Sequence, residues 1–184
     1  MSERLPVTPG QTIGPFYHYA LLNREKFNEV VAPHHPDVIE LTGRVVDGLG
    51  KPLPDCMLEI WQVGPDGKVP TERDSLKRKT GHFTGWGRTS TNTDGVYRFF
   101  TLTPGSANGE NPFFAVALFA RGILHVLRTR IYLPLSDDAA AKDPFLSMLP
   151  AERRQTLIAK KDEYGYRFDI NLQGDDETVF IEFN

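Results

Sequence analysis

From Val38 onward the chain alternates apolar and polar residues in short runs separated by turn residues. Val38 to Val46 mixes β-branched residues with polar ones and stops at Asp47-Gly48-Leu49-Gly50, which predicts a strand and a turn. Met57 to Val63 predicts a second strand, with Leu58, Ile60 and Gln62 on one face and Met57, Glu59 and Trp61 on the other, before the turn Gly64-Pro65-Asp66-Gly67. Val96 to Leu102 alternates behind Asp94-Gly95. Phe113 to Ala120 is continuously apolar and predicts a strand buried on both faces. Ile123 to Leu133 alternates loosely, and Tyr166 to Leu172 with Thr178 to Phe183 read as a closing hairpin around Gly174-Asp175-Asp176. Ala151 to Lys161, preceded by Pro150, are good helix formers. About seven short strands with turn signals between them point to a mostly β fold. The expected architecture is a β-sandwich core with a long N-terminal arm and one or two short helices.

Residues 1–37 break this pattern. Pro6, Pro9, Pro15, Pro33 and Pro36, with Gly10 and Gly14, make the stretch look irregular, while Phe16, Tyr17 and Tyr19 favour docking over disorder. The expected division is an arm at 1–37 that packs on a partner and a sandwich domain at 38–184.

Composition narrows the function classes. A net charge of −3 over 184 residues gives no basic stripe and argues against nucleic-acid binding. The short basic run Lys77, Arg78 and Lys79 reads as a solvated loop. Cys56 is the single cysteine, so no intrachain disulfide or cysteine metal cluster can form, and its apolar setting suggests a buried, inert thiol. MSERLPVTPG lacks the apolar core of a signal peptide and no run is long enough to span a membrane. The expectation is a cytoplasmic protein without membrane contact. Of the five histidines only His34 and His35 are neighbours, and adjacent residues on extended chain point apart, so no metal site is expected from them. Trp61 reads as core, and Arg128 and Arg130 as a pair on one strand face suited to interface salt bridges.

Several stretches, in order, resemble one family. Thr8-Pro9-Gly10-Gln11-Thr12-Ile13-Gly14-Pro15-Phe16 looks like the arm of intradiol ring-cleaving dioxygenases. Leu41 to Asp47 and Leu58-Glu59-Ile60-Trp61-Gln62 look like their first core strands, and Gly87-Arg88-Thr89, Asp94-Gly95 and Thr103-Pro104-Gly105 like the run that follows. Leu118-Phe119-Ala120-Arg121-Gly122, the tail Tyr166-Arg167-Phe168-Asp169-Ile170 and Glu177-Thr178-Val179-Phe180 resemble the alpha-type subunits of that family. The resemblance covers nearly the whole chain.

It implies a sandwich subunit that works with a homologous beta subunit in a higher hetero-oligomer. In the family a ferric ion is held by two tyrosines and by two histidines spaced His-x-His on one strand. The matching positions here are Phe113 and Ala115, with the tyrosine positions near Ser75 and Ala107. None can serve as those ligands, so the resemblance implies no cofactor on this chain and Fe(III) on the beta partner. It also implies that Arg121 and the arm residues Thr12, Ile13, Gly14, Pro15 and Phe16 line a shared pocket for a small aromatic substrate. A guanidinium there suits the carboxylate of 3,4-dihydroxybenzoate, whose ring would open with O2 between the hydroxylated carbons to give 3-carboxy-cis,cis-muconate. Two other readings stand beside it: a non-catalytic sandwich module for binding or assembly, and a self-sufficient enzyme with relocated ligands, which the missing His-x-His opposes.

Overall fold

A computed structural model describes residues 8–14, 16–22, 26–71 and 82–182. Pro15, Ser75 and the run Lys77, Arg78 and Lys79 lie outside the described residues. In chain order the elements are α1 (Tyr17–Ala20), β1 (Ile39–Val46), β2 (Met57–Trp61), β3 (Trp86–Ser90), β4 (Val96–Thr101), β5 (Phe113–Phe119), β6 (Leu127–Tyr132), α2 (Asp137–Lys142), α3 (Ala151–Arg154), β7 (Lys160–Asp162), β8 (Gly165–Arg167) and β9 (Ile170–Asn171). Short 3-10 turns occupy Leu146–Met148 and Gln155–Leu157. Among the described residues no helix is long and apolar enough to cross a membrane.

The strands form two sheets, as the alternation predicts. One has the order β4-β1-β8-β7, with β9 also paired to β1; the other has the order β3-β2-β5-β6. Residues of period two supply the layer between them: Leu41 and Val45 of β1, Leu58 and Ile60 of β2, Tyr97 and Phe99 of β4, and Phe114, Val116 and Leu118 of β5 are all buried.

Close approach of neighbouring strands within the first sheet is visible at Gly43. A Cβ there would lie 1.7 Å from the Phe168 carbonyl oxygen and 2.8 Å from the Tyr97 hydroxyl. The Tyr97 hydroxyl donates to that same carbonyl at 2.6 Å, so the absent side chain makes room for a buried cross-strand bond. At the other side of the sandwich, β3 and β4 are the outer strands of their sheets. Residues 27–31 run along both. Arg88 N donates to Phe27 O at 3.0 Å, Phe100 N to Asn28 O at 2.9 Å, and Val30 N to Phe100 O at 2.8 Å. This N-terminal stretch satisfies edge backbone groups that sheets otherwise leave open.

Several details depart from the sequence expectation, among them the unforeseen α1 and β3. β5 is buried on one face only: Phe114, Val116 and Leu118 are enclosed while Phe113, Ala115, Ala117 and Phe119 are half-buried on the outer face. The helix from Ala151 stops early, because Ile158 bridges Tyr132 and Ala159 N donates to Tyr132 O at 2.9 Å, turning the chain into β7. The C-terminal hairpin does not form among the described residues. Instead β8 and β9 pair in parallel with β1, while Thr178 N bonds Asn171 O and Ile181 N bonds Arg128 O. Finally, α2 was not expected; Ser136 caps it by accepting from Ala139 N, with Asp137 and Asp138 in its first turn and Lys142 in its last.

Candidate functional site

β5 ends at Phe119 and the chain reverses over Ala120-Arg121-Gly122, with Ile123 N donating to Ala120 O at 3.2 Å. Gly122 sits at φ +86°, a left-handed conformation that suits glycine. The N-terminal arm crosses this turn. The Thr12 hydroxyl donates to Ala120 O at 3.1 Å and accepts from Gly122 N at 2.8 Å, so one side chain binds both flanks of Arg121. Gly10 lies against the next residues, where an added Cβ would be 2.9 Å from Leu124 O and 3.3 Å from His125 Cε1. The Arg121 side chain is exposed.

The arm then passes Ile13, which is half-buried, and Gly14, around which a Cβ would meet nothing within 4 Å. Tyr17 anchors its far end: its hydroxyl donates to Asp55 O at 2.7 Å. Burial, then the Asp55 charge, raises the Tyr17 phenol above its usual range, while the positive charge of Arg121 acts in the opposite direction. Phe16 is 73% exposed and its ring stands 6.2 Å from that of Tyr19, which is 82% exposed. The structure thus brings Thr12 directly to the Arg121 turn, leaves Gly14 and Phe16 open to solvent, and gives no account of Pro15. Tyr17 is the residue that sequence reasoning missed. Its only signal was its place among arm aromatics.

A second arrangement lies on the outer face of the β3-β2-β5-β6 sheet. Register sets Trp86, Trp61, Ala115 and Arg130 in one row, with Phe113 and Tyr132 beside it. Phe113, Ala115 and Ala107 line one cavity of about 500 Å³, together with Trp61 and Trp86. Trp61 is 53% exposed, so it is not core: the odd positions of β2 face outward, and its ring meets Trp86 at 5.9 Å. Arg130 also differs from expectation. It pairs with Glu110 at 2.5 Å, donates to the Tyr132 hydroxyl at 3.0 Å and lies over the Phe113 ring at 4.2 Å, all within the chain. Burial would lower its pKa, but the hydrogen bonds and charges of Glu110 and Tyr132 together outweigh that and hold it raised.

The remaining candidates are quieter. Cys56 is buried, its thiol pushed up to about 11 by desolvation, consistent with an inert side chain. His35 Nδ1 accepts from Asp37 N at 3.1 Å, a local loop bond. Among the described residues no three His, Cys, Asp or Glu side chains converge in a way that could hold a metal ion.

A sequence model for the family described as Dioxygenase matches residues 14–174. The chain belongs to the dioxygenase family. Two relatives of this dioxygenase are protocatechuate 3,4-dioxygenase alpha chains: that of Burkholderia cepacia is 41% identical over 195 residues, spanning 97% of this chain and 98% of the relative, and that of Pseudomonas putida is 38% identical, spanning 98% of each. The protocatechuate 3,4-dioxygenase beta chain of Burkholderia cepacia is 31% identical over 199 residues, spanning 97% of this chain and 83% of the relative. Among solved structures, the dioxygenase domain of a dioxygenase–carbohydrate-binding fusion from Streptomyces sp. SirexAA-E superposes with a TM-score of 0.58 at 23% identity, covering 91% of this chain and 98% of that one, which is a likeness of fold.

The ferric ion that the resemblance implies would need donor side chains at the matching positions of this dioxygenase chain. Phe113 and Ala115 share one face of β5, as two ligands on one strand must, but a phenyl ring and a methyl group have no lone pair to give. Ala107 is equally barren, and the carboxylate on the cavity wall, Glu110, is already bound by Arg130. These residues do not fit a metal.

Proposed function

We propose that this chain is the iron-free, alpha-type subunit of a protocatechuate 3,4-dioxygenase, paired with a homologous beta subunit that carries Fe(III). The reaction is the opening of the ring of 3,4-dihydroxybenzoate between its two hydroxylated carbons, with both atoms of O2 inserted, to give 3-carboxy-cis,cis-muconate. The observation that carries the reading is the near-full-length similarity to alpha chains combined with a ligand face made of Phe113 and Ala115. A single thiol and no described membrane-spanning helix are compatible with a cytoplasmic assembly.

In this reading the chain binds and orients. The metal supplies the redox chemistry from the partner side, where the hydroxylated edge of the ring is held. Arg121 takes the carboxylate at the opposite edge; its planar, permanently charged donors match two carboxylate oxygens. Thr12 fixes the turn that presents Arg121, which limits the orientations the clamp can adopt. Gly14 leaves open space for the ring, and the exposed rings of Phe16 and Tyr19 supply apolar surface for partner or substrate. The same exposure supports partner docking by the part of the 1–37 arm around Phe16 and Tyr19, while residues 27–31 bind the edges of this chain's own sandwich, the domain proposed for 38–184.

The test is Arg121→Ala in the co-expressed enzyme. For 3,4-dihydroxybenzoate, kcat/KM is expected to fall by about 10- to 100-fold, corresponding to one charge-assisted contact of about 1.5–3 kcal/mol. Unsubstituted catechol, which lacks the carboxylate, is expected to change by less than about twofold. Equal losses for the two substrates would sink the clamp. Iron bound stoichiometrically by this chain alone would sink the division of labour.

A further inference from the structure

The cavity on the outer sheet face has no part in the proposed reaction, since Arg121 and the arm lie at the Ala120–Gly122 turn instead. We infer that it is a metal-free binding site for a small, uncharged aromatic molecule. Three observations carry this. First, its walls are aromatic: Trp61, Trp86 and Phe113 contribute ring faces, and Val69 adds an aliphatic one. The two indoles are tilted at 55°, leaving a face of the half-exposed Trp61 available for stacking. Second, its volume of about 500 Å³ falls within the range of small-molecule pockets. Ala107 and Ala115 are the reason for that room, because a longer side chain at either position would occupy it.

Third, the charge is specific. Glu110 is the one ionisable residue among the described lining residues, and Arg130 neutralises it at 2.5 Å while stacked on Phe113. Among the described lining residues no cation is left over for an anionic ligand, and a carboxylate placed against them would be desolvated without a partner. Hydrogen-bonding capacity is also limited. Gln62 spends its amide on Val63 O, Leu102 O and the Thr101 hydroxyl, and Asn111 spends its own on Ala139 O and Asp143. Asn108, exposed at the cavity wall, has no side-chain bond to a described residue and can meet one hydroxyl. The site therefore selects a phenol-like neutral ring over a benzoate-like anion, the reverse of the preference argued for Arg121.

The experiment uses the full-length chain with 4-fluorophenol and 4-fluorobenzoate at neutral pH, followed by fluorine NMR of the ligand and by tryptophan fluorescence. Both tryptophans of the chain line the cavity, so the protein reports its own occupancy. The expected result is saturable binding of one 4-fluorophenol per chain with a Kd on the order of 0.1–1 mM, the range open to so small a ligand. 4-Fluorobenzoate should bind at least about tenfold more weakly. Ala115→Leu should abolish the binding by filling the cavity, with ring-cleavage activity of the co-expressed pair unchanged. Should that variant fold poorly, Trp61→Ala removes an exposed ring instead and should weaken binding by about fivefold or more. Absence of saturation, equal affinity for the two probes, or binding that survives both variants would overturn the inference. Those results would leave the Arg121 reading intact, since that stands on a different turn and a different readout.

Discussion

At the scale of single residues, Thr12 carries more than its size suggests. Its hydroxyl both donates and accepts across the Arg121 turn, so replacing it by valine keeps the shape and removes two bonds. Thr12→Val is expected to raise the KM for 3,4-dihydroxybenzoate by about three- to tenfold with a smaller change in kcat, because the carboxylate clamp proposed at Arg121 would be loosened and not removed. Steady-state kinetics checks this, and hydrogen exchange of residues 8–14 should accelerate in parallel. An unchanged KM with faster exchange would mean that the arm is held for assembly alone. Thr12 was legible only as part of a motif. The partners of its hydroxyl were not, because a bond spanning 108 residues depends on where β5 ends.

At the scale of elements, the alternation along β1, β2 and β4 was readable because each strand has one enclosed face. β3 was not readable. Trp86-Gly87-Arg88-Thr89-Ser90 has little β-branched character, and it is a strand because β2 supplies its partners from Met57 to Trp61. The continuous apolar run of β5 was misleading for a related reason: on its half-buried outer face, Phe113 and Ala115 line a cavity. Trp61 was misjudged along with them, since the aromatic character that suggests core here serves a wall. The strands also set a hard limit at Gly43. Gly43→Ala would drive a methyl group into the Phe168 carbonyl and disturb the Tyr97 bond, and a loss of more than about 3 kcal/mol is expected. Urea unfolding followed by circular dichroism measures it; a loss below about 1 kcal/mol would show that the two strands can separate locally at little cost.

At the scale of the whole molecule, the second hydrophobic cluster around Tyr132, Ala140, Leu146 and Leu157 is tied together by Asp143. Its carboxylate accepts from Asn111 N at 2.8 Å, from Phe145 N and Leu146 N at 3.0 Å, and from the Tyr132 hydroxyl at 3.2 Å. Burial alone would raise its pKa, but these bonds together hold it below the usual carboxylate range. The unfolded chain therefore takes up the proton first as pH falls. The contribution of Asp143 is complete above the ordinary value of about 4 and is lost below it, as the folded carboxyl protonates. Asp143→Asn should cost about 1–3 kcal/mol at neutral pH and flatten the acid limb of stability against pH. Urea midpoints at neutral pH and below pH 4 test it, and an acid limb as steep as that of the unsubstituted chain would assign the effect to other carboxylates. The stretch at residues 27–31, which covers the outer strands of both sheets, has a consequence for how the chain is made. These residues leave the ribosome ahead of the strands they cover, and β3 and β4 follow several seconds later at ordinary rates of translation. Through that interval the clasp has nothing to close on, so the sandwich can be sealed only after most of the polypeptide has emerged, and a chain stalled midway would display its edges to any neighbouring nascent chain.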